Sequence, residues 1–168
     1  MICVGIDPGL GGAVAVLHPD GAISLYDTPT ITVKKVSGTK RHYLPAEMVG
    51  DLLLAKNRSL GWDIRAALEN VAARPGQGVT SMFSMGRGVG LWEGILAGLG
   101  IPYELVTPRV WKASFGLGKD KRESIIRAQQ LFPSAEVELR RRKDEGKAEA
   151  LLIAEWLRRK QPAKGAAA

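Results

Sequence analysis

Cysteine and histidine are both scarce in this sequence, and each shortage removes a class of protein. One cysteine, Cys3, lies inside an apolar stretch; it has no disulfide partner and reads as a small core residue. The two histidines, His18 and His42, sit far apart on loop-like segments, so a zinc centre of imidazole and thiolate ligands is not expected. No apolar run approaches the roughly 20 residues that span a bilayer. No basic, then apolar, leader with a cleavage site stands at the front. The expectation is a cytoplasmic protein without membrane contact. Its 168 residues suffice for one domain with a proper core but not for two, so residues 1–160 are read as a single domain and 161–168 as a disordered tail.

What the chain does have is positive charge, unevenly spread. The net charge is +7, yet residues 1–107 hold nine basic and nine acidic side chains, against fifteen and eight in residues 108–168. A one-sided positive field is the footprint of a nucleic-acid binder.

The stretch around which the rest is organised is the first one, Met1 to Leu17. An apolar run ends in Asp7, a Pro-Gly-Leu-Gly-Gly turn follows, and a second apolar run begins. With the turn His18–Gly21, this predicts a meander of strands over Ile2–Ile6, Gly12–Leu17 and Ala22–Tyr26. Asp7 then stands at the end of a central strand, where an unpaired carboxylate is costly. It can serve as a turn cap, the glycine-rich turn can cradle a phosphate, or the acid can bind a divalent cation. Other acids that reach it decide between these.

Residues 31–43 read as a basic extended excursion, a loop or short hairpin over a binding surface, with Lys34, Lys35, Lys40 and Arg41. Pro45 opens an amphipathic helix through Met48, Leu52, Leu53 and Lys56 to about Asn57. The fourth strand, Ile64–Leu68, ends in Glu69, which repeats the arrangement at Asp7. Two such acids on neighbouring strands cannot both stay ionised without a counter-charge. A helix over about Thr80–Leu99 carries Gly86, Gly90, Gly94 and Gly98 on one face. Each costs ~0.5–1 kcal/mol relative to alanine, which calls for close approach of the sheet or of a second copy of the helix.

Tyr103–Val106 reads as the fifth strand, and Thr107-Pro108 starts a short helix with Trp111 and Lys112. Asp120 and Glu123 have the spacing of a capping box before a helix that stops at Pro133. A last helix, about Asp144–Lys160, follows the basic run Arg140–Lys143, which contributes Arg141 as a DNA-binding candidate. At 100° per residue, Glu145, Glu149, Leu152 and Trp156 share one stripe, so Glu149 lies on the apolar side. Asp144 can swing to the same point from an N-cap position. Two strand-end acids and two or three acids at a helix start make an all-oxygen cluster suited to Mg²⁺ or Mn²⁺. On a basic chain, this is the pattern of a metal-dependent nuclease.

Six segments carry a family resemblance: Gly5-Ile-Asp-Pro-Gly9, Leu68-Glu-Asn-Val71, Pro75 to Gly86, Thr107-Pro-Arg-Val-Trp-Lys112, Asp120-Lys121, and Lys147 to Ala154. In order and over nearly the whole chain, they resemble the RuvC-type Holliday junction resolvases, in particular compact phage members. That resemblance implies an α/β, ribonuclease H-like fold with a mixed five-stranded sheet flanked by helices. It also implies a homodimer acting on branched DNA in the cytoplasm of a host cell, with no nucleotide cofactor. Two Mg²⁺ ions per site, replaceable by Mn²⁺, would be bound by Asp7, Glu69, Glu149 and one acid before it. The family pattern favours Asp144 for that fourth acid, and helix geometry favours Glu145. Lys112, Lys119 and Lys121 surround a segment that resembles the family's phosphate-facing loop, with Lys121 the candidate beside the scissile phosphate. Ala72 stands where the family has a junction-opening aromatic, so Phe83 or the Arg74–Gln77 loop is the candidate substitute.

Three rivals follow. An actin-like ATPase shares the first strand and turn but needs two such domains. An RNA–DNA hybrid or branched-DNA nuclease would have the same fold, and a non-catalytic junction-binding module would share the surface alone.

Overall fold

The computed structural model describes residues 1–36, 38–57, 61–73, 75–118 and 120–161, without the side chains of Lys35 and Lys121. The elements run β1 (Ile2–Asp7), β2 (Ala13–Leu17), β3 (Ile23–Asp27), β4 (Thr30–Lys35), β5 (Gly38–Tyr43), α1 (Pro45–Asn57), β6 (Ile64–Glu69), α2 (Val79–Gly98), β7 (Tyr103–Val106), α3 (Pro108–Ser114), α4 (Lys121–Leu131) and α5 (Glu145–Lys160). Two 3₁₀ segments, Pro133–Leu139 and Arg142–Asp144, lead into α5.

The main sheet has the order β3-β2-β1-β6-β7. β1, β2 and β3 pair antiparallel as the two turns dictate, while β6 runs parallel to β1, and β7 parallel to β6. The result is the mixed five-stranded sheet that was expected. The basic excursion is a separate antiparallel hairpin, β4–β5.

Side-chain alternation divides the core into two layers. Ile2, Val4, Ile6, Val14, Val16, Ala66 and Leu68 pack toward α1 and α2. Cys3, Ala13, Ala15, Leu17 and Ala67 pack toward α3, α4 and α5. On this second side, α5 lies directly on β1. A Cβ at Gly5 would stand 2.0 Å from the Ala150 carbonyl oxygen and 2.4 Å from the Ala154 nitrogen. Only glycine permits that approach. Gly146 seats the front of the same helix on the first turn, where a Cβ would be 2.4 Å from the Gly11 oxygen.

Three local expectations are corrected. In α1 the buried stripe is Met48, Leu52 and Ala55, and Leu53 points to solvent. In α2 the packed glycine is Gly88, against the Pro8 carbonyl and the Tyr43 hydroxyl; among the described residues, Gly86, Gly90, Gly94 and Gly98 have nothing within 4 Å of a Cβ and do not touch the sheet. Asp120 caps α4 by accepting from the Arg122 N–H, while Glu123 bypasses the cap and accepts from the Gly118 N–H. The expected tail lies, from residue 162 onward, outside the described residues. Among the described residues, no helix is long and apolar enough to cross a membrane.

Candidate active site

The parity of the strands decides which acids can meet. Asp7 follows Cys3 and Gly5 in alternation, and Glu69 follows Ala67, so both acids extend the sheet face covered by α5. The pairing Ile6↔Leu68 puts them side by side at the carboxyl ends of adjacent parallel strands. Glu149, one turn inside α5, faces the same edge.

The first turn holds Asp7 closely. The Gly9 N–H donates to Asp7 Oδ1 at 3.1 Å. A Cβ at Gly12 would stand 2.2 Å from the Asp7 carbonyl oxygen and 2.8 Å from its Cγ. Glu69 is 6% exposed and accepts a hydrogen bond from Trp111 Nε1 at 2.8 Å. Glu149 accepts from Lys112 Nζ at 2.6 Å and from the Ser124 hydroxyl at 3.3 Å. The Lys112 ammonium also lies 5.1 Å from the Trp111 ring centroid, close enough for cation–π attraction.

These acids act on one another. Burial pushes the Asp7 carboxyl up to about 6, and the charges of Glu149 and Glu145 add to the rise against the Gly9 N–H and Lys112. Burial likewise pushes Glu69 up to about 7, with Asp7 and Glu149 adding and Trp111 and Lys112 opposing. The cluster is therefore short of positive charge. Its donors are all carboxylate oxygens, the hard ligands that suit Mg²⁺ or Mn²⁺. Among the described residues, no three acidic, histidine or cysteine side chains are drawn together as a ligand set. Each carboxylate points instead at its own partner in the protein: Gly9, Trp111 or Lys112.

The two acids before Glu149 part company. Asp144 is 3% exposed, and its carboxylate is enclosed by Arg141, which donates from its backbone at 2.8 Å, from Nε at 3.1 Å and from Nη2 at 2.9 Å. Burial alone would raise its pKa, but these hydrogen bonds, with the charges of Arg141 and Lys147, hold it below the usual carboxylate value. Asp144 lines a cavity on the far side of the Gly11–Gly12 turn. Glu145 is among the charges felt at Asp7. The charges of Glu149 and Glu145 thus act on Asp7, and those of Asp7 and Glu149 on Glu69, while Asp144 is tied to Arg141.

The basic and aromatic candidates disperse. Lys112 belongs to the acid cluster as an ion pair, a role its sequence position did not reveal. Arg141 is occupied by Asp144. Phe83 is 72% exposed on the outer face of α2, and Gln77 donates to the Ser81 hydroxyl at 3.3 Å. Arg74 and Lys119 lie outside the described residues, as does the side chain of Lys121. Trp111, missed as a site residue, could have been suspected from its place on the inward side of a short helix that begins just after β7.

An antiparallel meander continued by two parallel strands, with a C-terminal helix laid across the first, defines a ribonuclease H-like fold. Solved structures agree. The chain superimposes on Thermus thermophilus RuvC in complex with a Holliday junction substrate with a TM-score of 0.54 and 17% identity, over 92% of this chain and 90% of that one. A second Thermus thermophilus RuvC structure gives a TM-score of 0.50 and 17% identity, over 95% and 96%. In sequence, 84 residues are 38% identical to the chloroplastic Holliday junction resolvase MOC1 of Chlamydomonas reinhardtii. That stretch is 49% of this chain and 10% of MOC1, so the chain matches about a tenth of the length of this relative. No protein-family profile matches.

Proposed function

We propose that this chain is a divalent-metal-dependent endonuclease that resolves four-way DNA junctions by paired nicks. One observation carries the reading. Asp7 and Glu69 end adjacent parallel strands on a single sheet face, and α5, laid across β1, brings Glu149 to the same edge. The fold of a junction-bound RuvC and the sequence likeness to a chloroplastic Holliday junction resolvase support the choice of substrate.

Asp7, Glu69, Glu149 and Glu145 would hold two Mg²⁺ ions, with Mn²⁺ able to substitute. Bound ions would supply charge to the phosphodiester and lower the pKa of water. The protein's own part is placement. Trp111 fixes one oxygen of Glu69, the Gly9 N–H fixes one of Asp7, and Lys112 keeps Glu149 compensated in the metal-free protein. Lys121, at the start of α4, is the proposed lysine beside the scissile phosphate, with Lys119, Arg74, Gln77 and Phe83 as further DNA contacts. A homodimer in the cytoplasm is part of the reading, since two-fold symmetry matches paired cuts on a four-way junction. The open glycine face of α2 is where a second copy would lie.

The test is cleavage of a labelled four-way junction beside linear duplex and an RNA–DNA hybrid, with and without Mg²⁺. Symmetric, Mg²⁺-dependent cuts in the junction alone are expected. Preference for the hybrid would shift the substrate, and no cleavage at all would reduce the protein to a binding module.

A further inference from the structure

We propose that Arg41, on the β4–β5 hairpin, is the centre of a phosphate-binding track that holds one nucleic-acid strand beside the carboxylate cluster; this rests on the nuclease reading above. Three adjoining cavities share this one side chain. The largest, about 820 Å³, is a groove between the hairpin, the Gly9–Leu10 turn and the first turns of α2. The second runs along the hairpin to Phe83 and Arg87. The third lies beyond the Gly11–Gly12 turn, with Lys143 on its rim. Arg41 reaches that turn, where a Cβ at Gly11 would meet Nη2 at 3.6 Å.

The lining has the chemistry of a phosphate backbone's counterpart. Among the described residues no acid lines the first two cavities, which offer Lys40, Arg41 and Arg87 with the hydroxyls of Thr32, Thr80 and Ser84. The two acids in the third are already paired, Asp27 with Lys147 at 3.4 Å and Asp144 with Arg141 at 2.9 Å. Arg41 and Lys143 are thus the charges left over there. Thr28, whose buried hydroxyl has no hydrogen-bond partner among the described residues, lines the same cavity. Strand pairing puts Thr32 opposite Arg41 on one face of the hairpin, so cation and hydroxyl face the groove together.

The track is tied to the acids by one residue. The Tyr43 hydroxyl, at the end of β5, donates to the Pro8 carbonyl at 3.1 Å, immediately after Asp7. A strand on the hairpin is thereby held at a fixed offset from the first carboxylate. Arg41 is a positioning residue, not a catalytic one.

The test measures binding of a fluorescent four-way junction in EDTA, so that the metal site does not contribute, across a series of salt concentrations. Arg41→Gln, Lys40→Gln and Lys143→Gln are compared with Arg65→Gln, which removes the same charge from the opposite end of the sheet, opposite Cys3. Each track variant should weaken binding about threefold to tenfold and reduce the salt slope by about 1, while Arg65→Gln leaves both near wild type. Lys40 and Lys143 are exposed and keep the test open if Arg41→Gln fails to melt like wild type. Track variants no worse than Arg65→Gln, on a wild-type protein that binds and cuts the junction, would overturn the track and leave the nuclease reading standing. A wild-type protein that binds no DNA would overturn both.

Discussion

Lys112 Nζ lies 2.6 Å from Glu149 Oε1, so the acid that α5 contributes to the site is compensated by a lysine from α3. Neither side chain is in open water; Glu149's is 12% exposed and Lys112's 27%. Lys112→Met leaves that carboxylate largely buried without its counter-charge, with the Ser124 hydroxyl still donating to it. It should destabilise the protein in EDTA by about 1–3 kcal/mol, read from urea denaturation, and Mg²⁺ should restore more stability to the variant than to wild type. Equal stability of the two proteins in EDTA would show the pair to be incidental.

Asp7→Asn and Glu69→Gln keep the shape of the site and remove its charge. Loss of a partner that only orients a metal ligand costs about 10–100-fold, so loss of a ligand should cost at least as much in cleavage rate. Junction binding should persist. Near-normal cutting in Mg²⁺ by either variant would remove that acid from the metal site.

The two acids at the head of α5 separate in the same assay. Glu145→Gln should impair cleavage. Asp144→Asn should instead act mainly on folding, at a cost of about 1–3 kcal/mol, because Arg141 loses its charged acceptor. Reversed effects would return the fourth ligand to Asp144.

The raised carboxyls make the metal-free protein's stability depend on pH in a known direction. Asp7 at about 6 and Glu69 at about 7 hold protons in the folded state that the unfolded chain has already released. Their contribution to stability is therefore greatest below about pH 4 and is lost as pH rises to about 7. Asp144 runs the other way, its contribution falling only in stronger acid, below its ordinary value. Melting temperatures in EDTA should decline from pH 5 to pH 7 by more in wild type than in an Asp7→Asn, Glu69→Gln double variant. A parallel decline would remove these two acids as its source.

Two glycines make opposite predictions. Gly5→Ala drives a methyl group into the Ala150 carbonyl and should cost about 1–3 kcal/mol or more, moving Glu149 with α5. Gly90→Ala enters open space in mid-helix and should stabilise a monomer by up to about 1 kcal/mol. Thermal melts of the two distinguish a packed glycine from an open one, and destabilisation by Gly90→Ala would reveal a partner on that face.

Much of the fold was legible because its signals are local. Gly or Pro lies within three residues of at least one end of every strand of the main sheet, and the two strand-end acids stand out where an apolar run stops. The helical stripe placed Glu149 away from open solvent, but burial runs nearly all round α5, and its stripe companions Glu145 and Trp156 are only partly buried. Pairings across the chain left no such trace. Trp111 and Glu69 are 42 residues apart, and Lys112 and Glu149 37 apart, so nothing near either residue announces the other. Periodicity also marked the glycine face of α2 without saying what it meets, and the packed Gly88 lay off the stripe. At Asp144 the sequence offered two acids side by side, and only the position of Arg141, three residues earlier, resolves their different surroundings. Glu155 went unnoticed for a similar reason: buried at 4% exposure, it is held by Arg158 and Arg159 within its own helix.

The acids of the candidate site are drawn from opposite ends of the chain, with Asp7 in the first strand and Glu149 in the final helix. A ribosome making this protein exposes the first two acids long before the helix that completes the set. The nascent chain also lacks the central part of the cover for one side of its sheet until α5 emerges, because Leu151, Leu152 and Ile153 join Trp111 and Ile125 in that layer. Folding of that layer and assembly of the carboxylate set would then coincide, so that a chain lacking α5 would also lack Glu145 and Glu149.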